Sequence, residues 1–414
     1  MKNRKVLLQI NVTANSGSTG RIAEQINQLA RTQGWDTYLA YGRAMQPCDS
    51  TLIKVGNKWQ VYEHYIEAKL FDNDGWASRI ATRKFIRVIK KLNPDIIHLH
   101  NLHGHWLNCK MLFEYLNTID TPIVWTTHDP WPFTGCGHFS LVDCYKWRDG
   151  GCTNNCPRKH LPSLFRMCEK TKKHFDEKKK LISSLRNLTI VPNSRWMESV
   201  AKQSYLKDRR INLILNGVDV NAFQPLHSFE VLKKYHLDGI DYVVGVATSW
   251  SARKGLEDYK VLASQLKNKA KIVLVGMNGK QAELMARLGI ITIPRTENIS
   301  ELAAIYTGSI AVLNLSYEES FGLTSVEGYA CGRPTIVYNR TASPELVENS
   351  QTGRVVEPRD IAAIIHAIDE FKSKNQLELS RQCRELAVSV YDKKESYGNY
   401  IRLYEELLNE HQSI

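Results

Sequence analysis

The fold is decided by residues 316–334, which read SYEESFGLTSVEGYACGRP. An apolar run, Ile310–Leu315, precedes this stretch, and a second apolar run, Pro334–Tyr338, follows it. This order predicts a strand, a loop, a short helix and another strand, because glycine and proline at positions 332 and 334 are typical of a helix end. The stretch therefore predicts an α/β unit with a loop between the first strand and the helix.

Two carboxylates lie close to that loop. Glu319 is in the loop and Glu327 is in the first two turns of the helix. Gly322 lets the backbone approach a ligand because it has no Cβ, and the free N–H groups at a helix start bind anions. One carboxylate can accept hydrogen bonds from a ribose diol and the other from a sugar hydroxyl. The pattern favours a sugar nucleotide, and the alternative is a surface helix with two solvated acids.

The same residues resemble a known family. Glu319 and Glu327 match the E-x7-E signature of the retaining glycosyltransferases of family 4, and Phe321-Gly322-Leu323 and Cys331-Gly332-Arg333-Pro334 match the residues that accompany it. The resemblance implies an α/β chain with the GT-B fold. That fold has two Rossmann-like parallel-sheet domains facing across a cleft.

Composition sets the broad class of the protein. The 414 residues are 43% hydrophobic and 24% charged, which is ordinary for a globular protein of two or three domains. No apolar run approaches the roughly 20 residues of a membrane span, and no secretory signal is visible. We therefore expect a cytoplasmic protein whose nine cysteines do not form a disulfide framework. The net charge of +12 favours polyanions or anionic lipid surfaces.

The chain opens with a βαβ pattern. Lys5–Val12 is typical of a strand and Arg21–Thr32 of a helix, and a glycine- and hydroxyl-rich loop joins them. The loop is not G-x-G-x-x-G, so dinucleotide binding has little support. The resemblance implies that Gly17 and Gly20 lie in a loop facing the cleft, where donor and acceptor meet. The alternative is a tight turn without a ligand.

Two further predicted strands end in polar residues. Pro94–Asn101 and Ile123–Asp129 are apolar runs of this kind, and ligands in open α/β sheets bind at the carboxyl ends of strands. His103 follows the first run and is assigned to the cleft. The resemblance implies that His128, at the end of the second run, contacts the donor sugar.

Neighbouring polar residues receive different assignments. We expect His98 and His100, which lie on the first of these strands, to be structural. Asp129 is adjacent to His128 in sequence, and adjacency permits this carboxylate to orient the imidazole without establishing that it does so.

Four cysteines are close together in a loop-like stretch. Cys136, Cys144, Cys152 and Cys156 favour a structural zinc ion in a reducing compartment, with free thiols as the alternative. The stretch from Trp131 to Cys136, with the later cysteines, resembles a branch of family 4 found in colanic-acid-type exopolysaccharide assembly. We assign zinc no part in the chemistry, since protein ligands can fill all four positions.

The second half of the chain repeats the alternation of strands and helices. Arg253 and Lys254 match the place where family members hold the nucleotide diphosphate, and an arginine fork and a mobile ammonium both suit that ligand. Many relatives carry an arginine five residues before this lysine, whereas this chain has Ser249. Arg253 is therefore the candidate substitute. The alternative, two solvated cations at a helix start, is disfavoured by the helix dipole.

The domain organisation follows from these segments. We expect an N-terminal acceptor-side domain over residues 1–209, with a cysteine-rich insertion at about 130–160. A C-terminal nucleotide-sugar domain is expected over residues 210–393. The apolar stripe of Tyr397–Asn409 predicts a final helix within residues 394–414. By analogy with GT-B proteins, this helix is expected to cross back to the first domain.

Charge patterning suggests a membrane contact. Residues 79–92 have the pattern of a basic amphipathic helix, and a second basic stretch runs over residues 158–180. A solvated face is the alternative. The resemblance favours peripheral contact with an anionic membrane on its inner face, because many family members act on lipid-linked acceptors.

The resemblance thus implies a retaining hexosyltransferase that moves a sugar from a UDP- or GDP-linked donor to a lipid-linked saccharide acceptor, in bacterial surface polysaccharide assembly. In the family pattern, Glu319 and His128 are catalytic. Arg253, Lys254, Glu327 and residues 321–323 bind the donor. No metal is expected to be required for transfer. The alternatives are a sugar-nucleotide epimerase and, from another class, a basic zinc-containing nucleic-acid-binding protein. The latter is disfavoured because aromatic residues are not interleaved with the basic runs, so no nucleic-acid partner is expected.

Overall fold

The chain divides into two compact units. The computed structural model describes residues 4–135, 144–148, 151–154, 156, 169–266, 269–347 and 349–412. The first unit comprises Met1–Ile214 together with Tyr397–Ile414, and the second comprises Leu215–Ser396. The division after Ile214 lies a few residues beyond the boundary expected from the sequence.

The first unit contains a seven-stranded parallel sheet with the strand order β3-β2-β1-β4-β5-β6-β7. Its strands are β1 (Val6–Ile10), β2 (Asp36–Tyr41), β3 (Thr51–Lys54), β4 (Ile96–Leu99), β5 (Ile123–Thr127), β6 (Leu188–Pro192) and β7 (Arg210–Ile211). Its helices are α1 (Gly17–Thr32), α2 (Lys58–Phe71), α3 (Arg79–Leu92), α4 (Cys109–Leu116), α5 (Thr171–Ser183) and α6 (Arg195–Gln203).

The central strands of this sheet are buried along their whole length. Strand β1 pairs with β2 on one side and β4 on the other, with Leu7 beside Thr37 and Ile96. Every residue of β1, β4 and β5 is buried, which is why these strands read as continuous apolar runs rather than alternating ones. The direction of strand addition reverses between β1 and β4. This reversal marks the switch point where ligands of such sheets bind.

The second unit repeats the arrangement with six parallel strands in the order β10-β9-β8-β11-β12-β13. The strands are β8 (Tyr242–Val246), β9 (Lys271–Val275), β10 (Ile291–Ile293), β11 (Val312–Asn314), β12 (Thr335–Tyr338) and β13 (Gly353–Val356). The helices are α7 (Phe229–Lys234), α8 (Leu256–Leu266), α9 (Gly279–Arg287), α10 (Ile299–Gly308), α11 (Leu323–Ala330), α12 (Ile361–Ser373) and α13 (Gln376–Tyr391). The switch point here lies between β8 and β11.

The last helix, α14 (Lys393–Gln412), starts earlier and ends later than the pattern predicted. From Tyr397 onward it belongs to the first unit, where Tyr400 and Tyr404 are buried. Their hydroxyls bond to Thr126 (2.9 Å) and to His98 (2.6 Å). Across the described residues, the helices are all too short or too polar to traverse a bilayer.

Candidate active site

The site in the second unit is built where the loops after β8 and β11 meet. Gly255 has φ +71°, and a Cβ at this position would lie 2.1 Å from the carbonyl oxygen of Leu315. The Tyr317 N–H donates to the Arg253 carbonyl at 2.9 Å. The two loops are therefore in direct backbone contact at the switch point, which brings residues about 65 positions apart in sequence together.

This contact places Lys254 against Glu319. The Lys254 ammonium forms an ion pair with Glu319 Oε1, and the two side chains are only 21% and 15% exposed. The Arg253 Nη1 donates to the Glu318 carbonyl at 3.2 Å. A partly buried pair is screened less by solvent than a surface pair. The cations predicted to hold a diphosphate thus lie beside the carboxylate predicted to hold a sugar.

Glu319 is held by its backbone as well as by its side chain. Its N–H donates to Thr341 Oγ1 at 2.9 Å, and its carbonyl accepts from the Ala342 N–H at 3.2 Å. Thr341 has φ +48°, a backbone conformation that β-branched residues rarely adopt. Strain of this kind is found where surrounding structure fixes a functional residue. The loop after β12 therefore helps to position Glu319.

Helix α11 begins beside this carboxylate. Gly322 precedes the helix with φ +104°, and a Cβ there would lie 2.8 Å from Leu346 Cδ1. Phe321 is buried and contacts the Tyr391 ring edge-on at a centroid distance of 5.9 Å. Leu323 is the first helical residue. The start of the helix is thus anchored by Phe321, and Gly322 provides the turn.

Glu327 lies in the second turn of α11, as the sequence pattern predicted. Its Oε2 accepts a hydrogen bond from the hydroxyl of the buried Tyr306, on α10, at 2.9 Å. This bond restricts the carboxylate to one orientation. Tyr306 was not identified from the sequence, because it lies in an apolar helix, 21 residues before its partner.

In the first unit, polar residues gather at the carboxyl ends of β4 and β5. A shallow depression there is lined by residues 100–103, 125–129, 131 and 132. His128 is 8% exposed, and its Nε2 lies 2.9 Å from Nδ1 of His100. Burial lowers the pKa of His128 to about 4, so the imidazole is neutral at physiological pH.

Asp129 contacts His103. Its Oδ2 lies 2.8 Å from His103 Nε2, and its Oδ1 accepts from the Trp131 N–H at 2.9 Å. Burial alone would lower the pKa of His103, but the Asp129 carboxylate outweighs it and raises that pKa. The ring nitrogen that lies beside Nε2 of His128 is Nδ1 of His100.

The structure places Gly17 and Gly20 in helix α1 rather than in the loop before it. Helix α1 begins at Gly17, so Gly17 is its first residue and Gly20 lies within its first turns. A Cβ on Gly20 would lie 2.7 Å from Thr13 Oγ1 and 3.2 Å from the backbone nitrogen of Asn15. Glycine therefore allows the helix to pack against the loop that precedes it.

The cysteine prediction falls partly outside the described residues, since Cys136 is not among them. The part of the chain that the structure describes brings three metal-ligand atoms within 4.8 Å of one another at His64, Asp74 and His105, and not at the described cysteines of the cluster. However, the Gly75 N–H donates to His64 Nε2 at 3.1 Å. The lone pair that would bind an ion is thus engaged by the backbone.

Two family models match consecutive parts of the chain. The model of the family "Glycosyltransferase Family 4" matches residues 16–222, half of the chain, and "Glycosyl transferases group 1" matches residues 230–389. The protein named "Putative colanic acid biosynthesis glycosyl transferase WcaC", from Escherichia coli K12, is 26% identical over 163 residues. That match covers 36% of this chain and only 39% of WcaC.

Solved structures resemble the chain over nearly its whole length. A glycosyltransferase from Rickettsia africae superimposes with a TM-score of 0.69 at 19% identity, covering 98% of this chain and 99% of that one. Anabaena HepE, solved in complex with UDP-glucose, superimposes with a TM-score of 0.64 at 15% identity, covering 97% and 99%. Two parallel-sheet Rossmann-like units and these likenesses confirm the predicted GT-B fold class.

Proposed function

Because this chain belongs to glycosyltransferase family 4, we propose that it transfers a hexose from a nucleotide sugar to a saccharide acceptor with retention of anomeric configuration. The observation that carries the proposal is the meeting of Lys254, Glu319 and the start of α11 at the switch point of the second unit. A diphosphate needs cations and N–H donors, whereas a sugar needs carboxylate acceptors. This arrangement offers both within one small region.

The residues of the second unit have separate roles in this proposal. Lys254 and Arg253 hold the diphosphate and stabilise the negative charge that develops as it leaves. The N–H groups at the start of α11, next to Gly322, add to this stabilisation. Glu327 accepts hydrogen bonds from the ribose hydroxyls, and Glu319 accepts them from hydroxyls of the transferred sugar.

Residues of the first unit are proposed to act on the sugar and the acceptor. His128 contacts the donor sugar, as the resemblance to family 4 implies. His103 and Gly17 lie at the carboxyl edge of the first sheet, after β4 and β1, where an acceptor is expected. Gly20, in the first turn of α1, belongs to the same proposed group, and it also packs against Thr13.

The donor class can be identified by thermal unfolding in the presence of UDP-, GDP- and ADP-sugars. A ligand that binds only the folded protein raises the melting temperature by mass action. HepE was solved with UDP-glucose, which makes a UDP-sugar the first candidate. We expect one nucleotide series to raise the melting temperature and the Lys254→Ala protein to lose that rise. If every series left both proteins unchanged, the proposed donor site would be wrong.

Retention is tested on the product. With the donor so identified, the anomeric configuration of the new linkage is read from proton coupling constants by NMR. A product with the same configuration as the donor supports retention. An inverted product would reject the retaining mechanism while leaving transferase activity in place.

We propose that transfer needs no metal ion, since Lys254 and Arg253 supply the positive charge for the leaving diphosphate. Activity should persist in EDTA. Complete loss of activity in EDTA, with the fold intact by circular dichroism, would contradict this.

Zinc at Cys136, Cys144, Cys152 and Cys156 stays a prediction for structural stability. Elemental analysis of freshly purified protein checks it, and a result without stoichiometric zinc would remove it.

The acceptor is proposed to be a lipid-linked saccharide of a bacterial surface polysaccharide. WcaC is named for colanic acid biosynthesis, and this likeness supports a polysaccharide role. Such an acceptor is presented at a membrane surface. The enzyme would therefore act as a peripheral protein on the inner face of the plasma membrane.

Two successive helices carry the features of a membrane-binding surface. On α2, the aromatic side chains of Trp59, Tyr62 and Phe71 are 80%, 58% and 51% exposed. Helix α3 places buried apolar residues on one face and exposed cations on the other, and its exposed basic residues are Arg79, Arg83, Lys84, Arg87, Lys90 and Lys91. Exposed aromatic residues together with clustered cations suit anionic lipid headgroups. We name residues 58–92 the α2–α3 surface.

Flotation with anionic and neutral vesicles tests this surface. The triple variant Trp59→Ser, Tyr62→Ser, Phe71→Ser should lose most binding to phosphatidylglycerol vesicles, and added salt should weaken binding of the native protein. The matched control, Phe229→Ser with Leu377→Ser, removes two apolar residues of the second unit that are 68% and 84% exposed. Equal loss in both variants would reject the α2–α3 surface. Salt-independent binding to neutral vesicles would reject the anionic partner.

A further inference from the structure

A chain of buried hydrogen bonds runs from helix α1 to His128. The Gln9 side chain, on β1, donates from Nε2 to the Ala23 carbonyl and to Asn27 Oδ1, both at 2.7 Å. Its Oε1 lies 2.5 Å from Nε2 of His100. The other ring nitrogen of His100, Nδ1, lies 2.9 Å from Nε2 of His128. Gln9 and His100 are 0% and 1% exposed, so water does not compete for these bonds.

The first bond fixes the orientation of the Gln9 amide. A helix carbonyl such as that of Ala23 can only accept, so the atom facing it must be the amide nitrogen. The amide oxygen therefore faces His100. Because that oxygen can only accept, Nε2 of His100 must carry a hydrogen.

The second bond then fixes His100. Its ring lies between those of His98 and His128, at centroid distances of 4.0 and 5.2 Å. Burial, with these neighbouring imidazoles, keeps the pKa of His100 well below its ordinary value. A neutral imidazole carries one hydrogen, here on Nε2, and Nδ1 is left as an acceptor.

The third step reaches His128. An acceptor at His100 Nδ1 requires a donor opposite, so Nε2 of His128 carries the hydrogen and its Nδ1 holds the lone pair. We propose that Gln9 and His100 are positioning residues that hold His128 in this tautomer, with Nδ1 as a hydrogen-bond acceptor for a hydroxyl of the sugar. The second half of this inference rests on the proposed function, whereas the tautomer itself does not.

The tautomer has a consequence for specificity. A lone pair at Nδ1 accepts from a hydroxyl and repels a carbonyl, carboxylate or phosphate oxygen. His128 would thus select a sugar with a hydroxyl at the contacted position, and a deoxy analogue would bind roughly tenfold more weakly, as expected for one lost hydrogen bond. This role requires a neutral imidazole with a defined tautomer, which a histidine exposed to water would not maintain.

NMR of histidine labelled with ¹⁵N tests the tautomer directly, since protonated and unprotonated ring nitrogens differ strongly in chemical shift. The His128→Gln spectrum assigns the His128 signals. In the native protein we expect Nε2–H and a bare Nδ1 at His128. In Gln9→Met, which keeps the volume and removes the acceptor, His100 loses its constraint, and the His128 signals should shift toward the other tautomer.

Two further variants separate positioning from packing. His100→Asn keeps an acceptor oxygen where Nδ1 was, so it should retain the native His128 tautomer. Tyr404→Phe removes a buried hydrogen bond to His98, which lies outside the chain of bonds, and should leave His128 unchanged. Native His128 signals in the Gln9→Met protein, or Nδ1–H in the native protein, would overturn the inference.

A titration of the same samples with UDP-glucose keeps the two proposals apart. A wrong tautomer overturns the inference whatever the sugar nucleotide does. The expected tautomer, with no response of any protein signal to UDP-, GDP- or ADP-sugars, supports the positioning role of Gln9 and His100 and counts against the proposed donor site.

Discussion

Lys254 and Glu319 are the residues on which transfer should depend most strongly. They form a partly buried ion pair at the switch point of the second unit. Lys254→Ala removes the charge that stabilises the leaving diphosphate, and Glu319→Ala removes the acceptor for sugar hydroxyls. Each should lower kcat by at least about 100-fold, the typical cost of losing one stabilising group. Initial rates at saturating donor check this.

A matched control is available on the same unit. Lys269 pairs with Asp369 at 2.5 Å on the surface, where its side chain is 52% exposed. Lys269→Ala removes the same charge from an exposed surface pair and should keep near-native activity. If Lys254→Ala and Lys269→Ala were equally active, Lys254 would have no part in transfer.

Glu327 should be responsible for recognition of the ribose. Its carboxylate, oriented by the Tyr306 hydroxyl, would accept hydrogen bonds from the diol. A 2′-deoxynucleotide sugar should therefore bind the native protein roughly tenfold more weakly than the ribonucleotide sugar. Glu327→Ala should bind both alike, and Tyr306→Phe should show an intermediate difference. Calorimetric titration measures all three.

If Glu327→Ala still bound the ribonucleotide sugar more tightly than the 2′-deoxynucleotide sugar, by the same factor as the native protein, another residue would recognise the ribose. Because both sugar nucleotides are titrated into the same variant, a general loss of stability would weaken binding of both and would not change their relative affinity.

Sequence alone identified the acids of this site but not the residues that orient them. The spacing of Glu319 and Glu327 around a glycine is local, so the strand-loop-helix pattern placed both. Gln9 and His100 are 91 residues apart, and Thr341 follows a different strand from Glu319. Contacts between separate strands depend on the sheet order, which periodicity does not supply.

At the scale of elements, the contact between the loops after β8 and β11 should be intolerant of any side chain at position 255. A Cβ on Gly255 would lie 2.1 Å from the Leu315 carbonyl oxygen. Gly255→Ala should therefore lower the free energy of unfolding by about 1–3 kcal/mol beyond backbone strain, as overpacking does. Urea titrations followed by circular dichroism measure the difference.

Gly279 provides the control for strain alone. It also has a positive φ, +58°, but among the described residues no heavy atom beyond its chain neighbours and the backbone of its own helix lies within 4 Å of a Cβ placed there. Gly279→Ala should cost less than Gly255→Ala and keep donor binding. Equal losses of stability would mean that the two loops can separate to admit a methyl group.

Helix boundaries were the least predictable elements. The start of α1 was expected at Arg21, because Gly17 and Gly20 lower intrinsic helix propensity. Packing of Gly20 against Thr13 allows a helix there despite its low propensity. By contrast, α3 spans Arg79–Leu92, as its strong apolar period predicted. Intrinsic propensity thus gave the wrong start for α1, because that start depends on a tertiary contact. Periodicity gave the right bounds for α3, because those bounds depend on burial of one helix face.

At the scale of the whole molecule, alternation of strands and helices predicted parallel sheets with crossover helices, and the resemblance to family 4 implied two Rossmann-like units. Both sheets add strands in the same order, reversing between the first and the fourth strand. A sequence pattern cannot show this order, but right-handed crossovers and short connections leave few alternatives. The division after Ile214 could be located only within several residues, since short strands such as β7 carry little signal.

The first unit should be the more sensitive of the two to acid. Burial lowers the pKa of His64 and of His128 to about 4, and it holds the pKa of His98 and of His100 well below the ordinary value of 6.5. These groups bind protons in the unfolded chain before they do so in the folded one. Stability is therefore full above about pH 6.5 and falls as the pH drops toward 4.

His103 opposes this trend. Its pKa is raised overall, because the Asp129 carboxylate outweighs burial, so its stabilising contribution is present at low pH and is lost as the pH rises through the folded pKa. Four histidines against one leave a net loss of stability on acidification. The acid sensitivity is therefore expected to come from the first unit.

Tryptophan fluorescence can follow this unit, since eight of the nine tryptophans lie in it and only Trp250 lies in the second. Urea titrations at pH 7 and pH 5 should show a lower urea midpoint at pH 5 when tryptophan fluorescence is followed. The midpoint followed by circular dichroism, which reports both units, should change less. His64→Gln keeps an acceptor for the Gly75 N–H and removes one titrating group, so its midpoint should depend less on pH.

A fluorescence midpoint that is the same at both pH values would mean that the buried histidines titrate in the folded protein as they do in the unfolded chain. The neutral state of His128, on which the positioning by Gln9 and His100 depends, would then have no support.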